Sequence, residues 1–273
     1  MSETNLLHYI QSWDFVDQLI EAKTYDTIYA DVWHLFPNCS PLQDFAAADQ
    51  SVLVILSRLT VAQFLDMYDI TGVAHITIVN LRVGVAGIGH KFAPEMDDIA
   101  LMTGHGWTVY EPVSRTDLEM IVSQMSNPVY IRITHRYLPD HLDLTARHGM
   151  RYHWQLSQSV TYFPASMIEA VGWLDSESQS SQYLLVSDWS SWYLSDEFRE
   201  LADTGGSSII MMEQNIQSMS EYIDIIQTLY PKHRIAGVSL GTDLREGEII
   251  VDEHRDERCG CDALSLGRKV KGL

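Results

Sequence analysis

The sequence predicts an α/β fold in two parts: an open, mainly parallel sheet domain, then a smaller α/β domain. Three observations predict it. Short β-branched runs at 27–30, 74–81 and 129–133 alternate with stretches of helical rhythm. A glycine-rich stretch, 84–89, follows the longest of those runs. The same alternation resumes after residue 182. Strands separated by helices favour a parallel sheet with helical crossovers.

The elements follow in order. Leu6, Leu7, Ile10, Phe15, Leu19 and Ile20 give residues 4–22 a helical period. Residues 27–30 read as a short buried strand, and 46–67 as a long helical pattern broken near Thr60. Residues 74–81 read as a strand. Ligands of open parallel sheets sit beyond the carboxyl ends of strands, so the glycines at 84, 87 and 89 mark the expected site. A helix is expected from 97, a strand at 108–110, a helix at 116–125 and a strand at 129–133. Residues 134–182, with His135, His141, His148 and His153, read as a connecting region. This divides the chain into 1–140, a linker at 141–182, and 183–273. The last part should hold strands at 183–187, 208–212 and 235–240, with helices at 196–203 and 220–229.

Composition narrows the function. The chain has 273 residues, of which 46% are hydrophobic, enough for a sizeable core. Eighteen Lys+Arg stand against 37 Asp+Glu, a net charge of -19. Such a surface repels phosphate backbones and anionic headgroups, so neither nucleic acid nor membrane is an expected partner. No run approaches the ~18 apolar residues of a membrane span. Residues 1–17 lack the basic-then-apolar order of a secretion signal, so a cytoplasmic protein is expected. Three cysteines argue against a disulfide framework. His254, Cys259 and Cys261 have soft-metal chemistry but no evident fourth ligand, and read as a solvated charged tail.

The most informative stretch is Gly87-Ile88-Gly89-His90-Lys91-Phe92-Ala93-Pro94-Glu95-Met96-Asp97-Asp98-Ile99-Ala100-Leu101-Met102. It resembles the G-x-T-H-x-x-x-x-D-I-A-L-M region of transketolases, deoxyxylulose-phosphate synthases and the β subunits of 2-oxoacid dehydrogenases. Trp107 to Pro112 stands where that family has a strand ending in proline. Asn127-Pro128-Val129-Tyr130-Ile131-Arg132-Ile133 is similar to its G-P-V-Y-I-R strand. Residues 26–31 (DTIYAD) resemble the strand that opens the family's pyrimidine-binding domain, and 46–50 (AAADQ) its G-I-A-E-Q. Residues 184–223 look like the first half of the transketolase C-terminal domain.

The resemblance implies a pyrimidine-binding domain, a transketolase-like C-terminal domain and thiamine diphosphate chemistry. In that family a glutamate tunes the cofactor's pyrimidine ring, and the cofactor supplies the carbanion chemistry while the protein positions and polarises. Carried over, Asp49 is the catalytic carboxylate and a cofactor contact, with Gln50 beside it. Phe64 stacks on the pyrimidine, and His90 faces the substrate as an acid or base. This sequence departs from the pattern in four places. Asp49 is one methylene shorter than glutamate, Gly89 replaces the threonine before His90, and a block after residue 57 is missing. No G-D-G with a distal asparagine occurs, although that motif holds the diphosphate and its Mg²⁺. The resemblance therefore implies a homodimeric core and a partner subunit that carries the diphosphate domain and its Mg²⁺.

Several readings stand side by side. Asp49 is either the cofactor's partner or a carboxylate in the first turn of a helix. His90 is either substrate-facing or an ordinary loop histidine. The whole chain is either one subunit of a split enzyme that transfers a two-carbon ketol or acyl unit to or from a small molecule, or a non-catalytic relative serving as an interaction module. A stand-alone α/β protein with an unrelated small-molecule ligand is a third reading.

Overall fold

The computed structural model describes residues 14–36, 38–45, 50–70, 73, 75–81, 98–112, 115–126, 128–133, 145–147, 150–153, 159–164, 181–186, 189, 192–194, 196–204, 208–213, 216–239 and 249–251.

The first sheet consists of β1 (Thr27–Ala30), β2 (Ser40–Pro41), β3 (Ser51–Leu56), β4 (His75–Asn80), β5 (Thr108–Tyr110) and β6 (Val129–Arg132). Their order is β2-β1-β3-β4-β6-β5. Every pairing is parallel, so all strand carboxyl ends lie along one edge. Helix α1 covers 14–22; α2 (Val61–Met67), α3 (Asp98–Gly104) and α4 (Arg115–Gln124) follow.

Both faces of this sheet are covered, which is why its strands are apolar almost throughout. On one face Leu53, Ile55, Val79, Val129 and Ile131 pack under Val16 and Leu19 of α1 and Leu118 and Ile121 of α4. On the other, Val52, Val54, Leu56, Ile76, Ile78 and Tyr130 pack under Val61 and Phe64 of α2 and Ile99 and Met102 of α3. The period-2 alternation of strand side chains sorts the two sets.

One expectation is overturned here. Residues 51–56 are a strand, not the first part of a helix spanning 46–67. The run Ser-Val-Leu-Val-Ile-Leu is unbroken, so periodicity does not separate a buried strand from a buried helix. Pairing with β1 and β4 decides: Val52 to Leu56 are all 0% exposed, which requires cover on both faces. The helix begins after Thr60, whose hydroxyl accepts from the Gln63 amide while the Gln63 side chain accepts from Thr60 N–H, a capping box.

The second sheet contains β7 (Thr145–Arg147), β8 (Met150–His153), β9 (Ser159–Pro164), β10 (Ser181–Val186), β11 (Ser208–Glu213), β12 (Arg234–Ser239) and β13 (Ile249–Val251). Its order is β13-β12-β11-β9-β10-β8-β7. Pairings are parallel from β13 to β10, and β8 runs antiparallel to both β10 and β7. Residues read as a linker thus supply three strands, and β9 lies at the centre of the sheet. Its pattern, Ser-Val-Thr-Tyr-Phe-Pro, has the β-branched and aromatic content of a strand, flanked by polar sequence that obscures it. Helices α5 (Asp196–Thr204) and α6 (Ile216–Leu229) complete the described strands and α-helices. Trp189, Phe198, Ala202, Ile223, Ile226 and Ile235 join the α2–α3 face of the first sheet in one continuous core.

The α1 face carries a titration signature. Burial pushes the Tyr25 phenol up to about 12, and the neighbouring Thr77 hydroxyl pulls weakly the other way. Neither oxygen completes a hydrogen bond, so burial decides the direction. A raised folded-state value means stability is complete below about pH 10 and falls as pH rises toward about 12. Urea unfolding across that window should show stability falling by about 1.4 kcal/mol for each step of one in pH. Tyr25→Phe should flatten that fall.

Candidate functional site

The carboxyl edge of the first sheet gathers four of the five buried polar residues described; the fifth, Thr77, lies within β4. Asn80 ends β4, Arg132 ends β6, Glu111 follows β5, and Asp98 opens α3. All four are 0–1% exposed. They sit inside because each is paired. Arg132 Nε donates to Asp98 Oδ2 at 2.8 Å, and Arg132 also donates through its terminal nitrogen to Glu111 Oε2. Tyr130 Oη donates to the same Asp98 oxygen at 2.7 Å and accepts from Asn80 Nδ2 at 2.7 Å. Trp189 Nε1 donates to Glu111 Oε2 at 3.2 Å. Two carboxyl groups share one guanidinium. Asp98 Oδ1 is buried and makes no hydrogen bond.

A second polar device stands at the same edge. Asp31, just beyond β1, accepts from the backbone N–H groups of Ser57, Arg58 and Leu59 at 2.6–3.0 Å and from the Ser57 hydroxyl at 2.8 Å. Successive N–H groups of this kind make an anion-binding concavity. Here the chain's own carboxylate fills it, tying β1 to the turn after β3.

The residues expected from sequence fall differently. Asp49, His90, the glycine-rich loop, Cys259 and Cys261 lie outside the described residues. Gln50 precedes β3 at the opposite, amino-terminal edge, where its Oε1 accepts from Thr27 Oγ1 at 3.2 Å. Phe64 is 0% exposed. Its ring lies 5.6 Å from that of Phe45 and 5.3 Å from that of Tyr68. Gln50 thus stands at the edge opposite the buried cluster, and Phe64 is packed inside the core. Among them, no group of three or more His, Cys, Asp or Glu side chains is placed to hold a metal ion. Sequence reasoning missed the Asn80–Asp98–Glu111–Tyr130–Arg132–Trp189 cluster. Its signal was present: an asparagine, a glutamate and an arginine close three otherwise apolar strand runs.

No family model and no curated protein sequence matches the chain. Solved structures do. A split-gene transketolase, solved as an inactive beta4 tetramer, superposes with a TM-score of 0.60 at 17% identity, over 95% of this chain and 97% of that one. The fold is transketolase-like. The 2-oxoglutarate:ferredoxin oxidoreductase from Magnetococcus marinus follows with a TM-score of 0.56 and 10% identity, over 96% of this chain and 64% of that one. Transketolase from Campylobacter jejuni gives 0.52 and 9%, over 81% and 35%. The chain therefore spans little more than a third of that full-length transketolase and nearly all of the split-gene one. No helix among the described residues of this transketolase-like fold is long and apolar enough to cross a membrane.

Proposed function

We propose that the chain is the C-terminal subunit of a split, thiamine-diphosphate-dependent, transketolase-like enzyme that transfers a two-carbon ketol or acyl unit. The observation that carries this reading is the end-to-end likeness to the split-gene transketolase, 95% of one chain against 97% of the other. In this reading a partner subunit carries the diphosphate domain and its Mg²⁺, two protomers form the core of the assembly, and the complex works in the cytoplasm on a small-molecule substrate. Asp49 contacts the cofactor's pyrimidine ring, with Gln50 beside it, and His90 faces the substrate. Phe64 reaches the cofactor only if partner binding opens the ring trio it shares with Phe45 and Tyr68. When bound, the cofactor supplies the carbanion chemistry.

A second reading has specific support. Gln50 at the amino-terminal edge and Phe64 in the core favour a non-catalytic relative that keeps the fold as an interaction or regulatory subunit. Calorimetric titration of thiamine diphosphate with Mg²⁺, into the chain alone and into its mixture with the candidate partner, separates the two. Binding only in the mixture, abolished by Asp49→Ala, is the expected result for the enzyme. A stable complex that binds no cofactor would overturn it and leave the interaction subunit.

A further inference from the structure

The cluster at the carboxyl edge has one member that does not belong to the first sheet. Trp189 follows β10 of the second sheet. Its backbone N–H donates to Val109 O on the edge strand β5 at 2.8 Å, and its indole N–H donates to Glu111. From Glu111 the bonds run in series through Arg132 and Asp98 to Tyr130 and Asn80. We infer that Trp189 and Glu111 are positioning residues for the carboxyl-edge site: they set the Arg132 guanidinium and, through it, Asp98, so that docking of the second unit is part of building the site.

Three features carry this. Glu111 Oε2 accepts from both the indole and the guanidinium, so one atom links the two donors. Asp98 is held through Oδ2 alone, since its Oδ1 makes no hydrogen bond, and a carboxylate held at one oxygen follows the group that holds it. The whole series is buried, where hydrogen bonds in a chain polarise one another more than they do in water. None of these contacts requires thiamine diphosphate.

A double-mutant cycle on the full chain tests it. No hydrogen bond joins Trp189 directly to Asp98, so independent packing roles would give additive effects. The effect of Trp189→Phe on the urea unfolding constant should differ by about fivefold or more between the wild-type and Asp98→Asn backgrounds. The control pair Phe198→Leu with Asp98→Asn, which shares the core but not the hydrogen bonds, should be additive within about twofold. Additivity in the Trp189 cycle as well would overturn the inference. Should Trp189→Phe fail to fold, Glu111→Gln is measured instead, by amide hydrogen exchange. Exchange at residues 98–104 should accelerate by about tenfold or more if Glu111 positions α3 through Arg132. Unchanged exchange there would overturn the inference.

Discussion

Arg132→Met is expected to destabilise the chain by about 3–5 kcal/mol, as large an effect as any single change at this site should have. The reason is what it leaves behind. Arg132 is 1% exposed and serves two carboxylates whose side chains are 0% exposed. Without the guanidinium, the buried carboxyl groups of Asp98 and Glu111 each lose a charge-assisted donor. Methionine restores volume but not charge, so the loss reports electrostatics rather than a cavity. Adding Glu111→Gln to Arg132→Met should recover part of the stability, because a neutral amide then replaces one of the two carboxyl groups that lost the guanidinium. Urea unfolding of both variants measures this. Equal stability of Arg132→Met and the wild type would overturn the expectation.

Phe64→Ala should cost about 3–5 kcal/mol. The side chain is fully buried in the core shared by the two units, and its ring meets those of Phe45 and Tyr68 at 5.6 and 5.3 Å. Phe45 in turn lies 5.1 Å from Tyr29, so the cavity would open beside three remaining aromatic rings. Phe64→Leu should cost less than about 1.5 kcal/mol, since it keeps most of the volume. That second variant separates structure from function. If Phe64 only packs, Phe64→Leu leaves cofactor binding by the mixed complex unchanged. If the ring also stacks on the cofactor, binding weakens while stability hardly moves. Thermal unfolding and calorimetry on the same samples read the two effects apart.

Much of the first sheet was legible in the sequence because its strands are short apolar runs set between helices with clear period. β1, β4, β5 and β6 lie within a residue or so of their expected positions. β3 was not legible, because six consecutive apolar or small residues carry no period, and only pairing with both neighbours makes them a strand. β7, β8 and β9 were missed for a related reason. Histidines, serines and arginines obscure alternation, and the strands exist because β10 and β11 offer edges to β8 and β9, and β8 in turn to β7.

The site divides in the same way. Local sequence was enough to mark the carboxyl edge of a parallel sheet as the place for a ligand, since strand–helix alternation dictates parallel pairing and parallel pairing puts every strand end on one side. The resemblance to transketolases was likewise readable from ordered motifs, and the fold agrees with it. Only the tertiary structure decided which polar residues share that edge. Asn80, Asp98, Glu111, Arg132 and Trp189 are spread over more than a hundred residues, and the hydrogen bonds that tie them into the cluster each span at least 21 residues. Long-range pairing of charges depends on where strands end in space, and the pattern along any one strand does not contain that information.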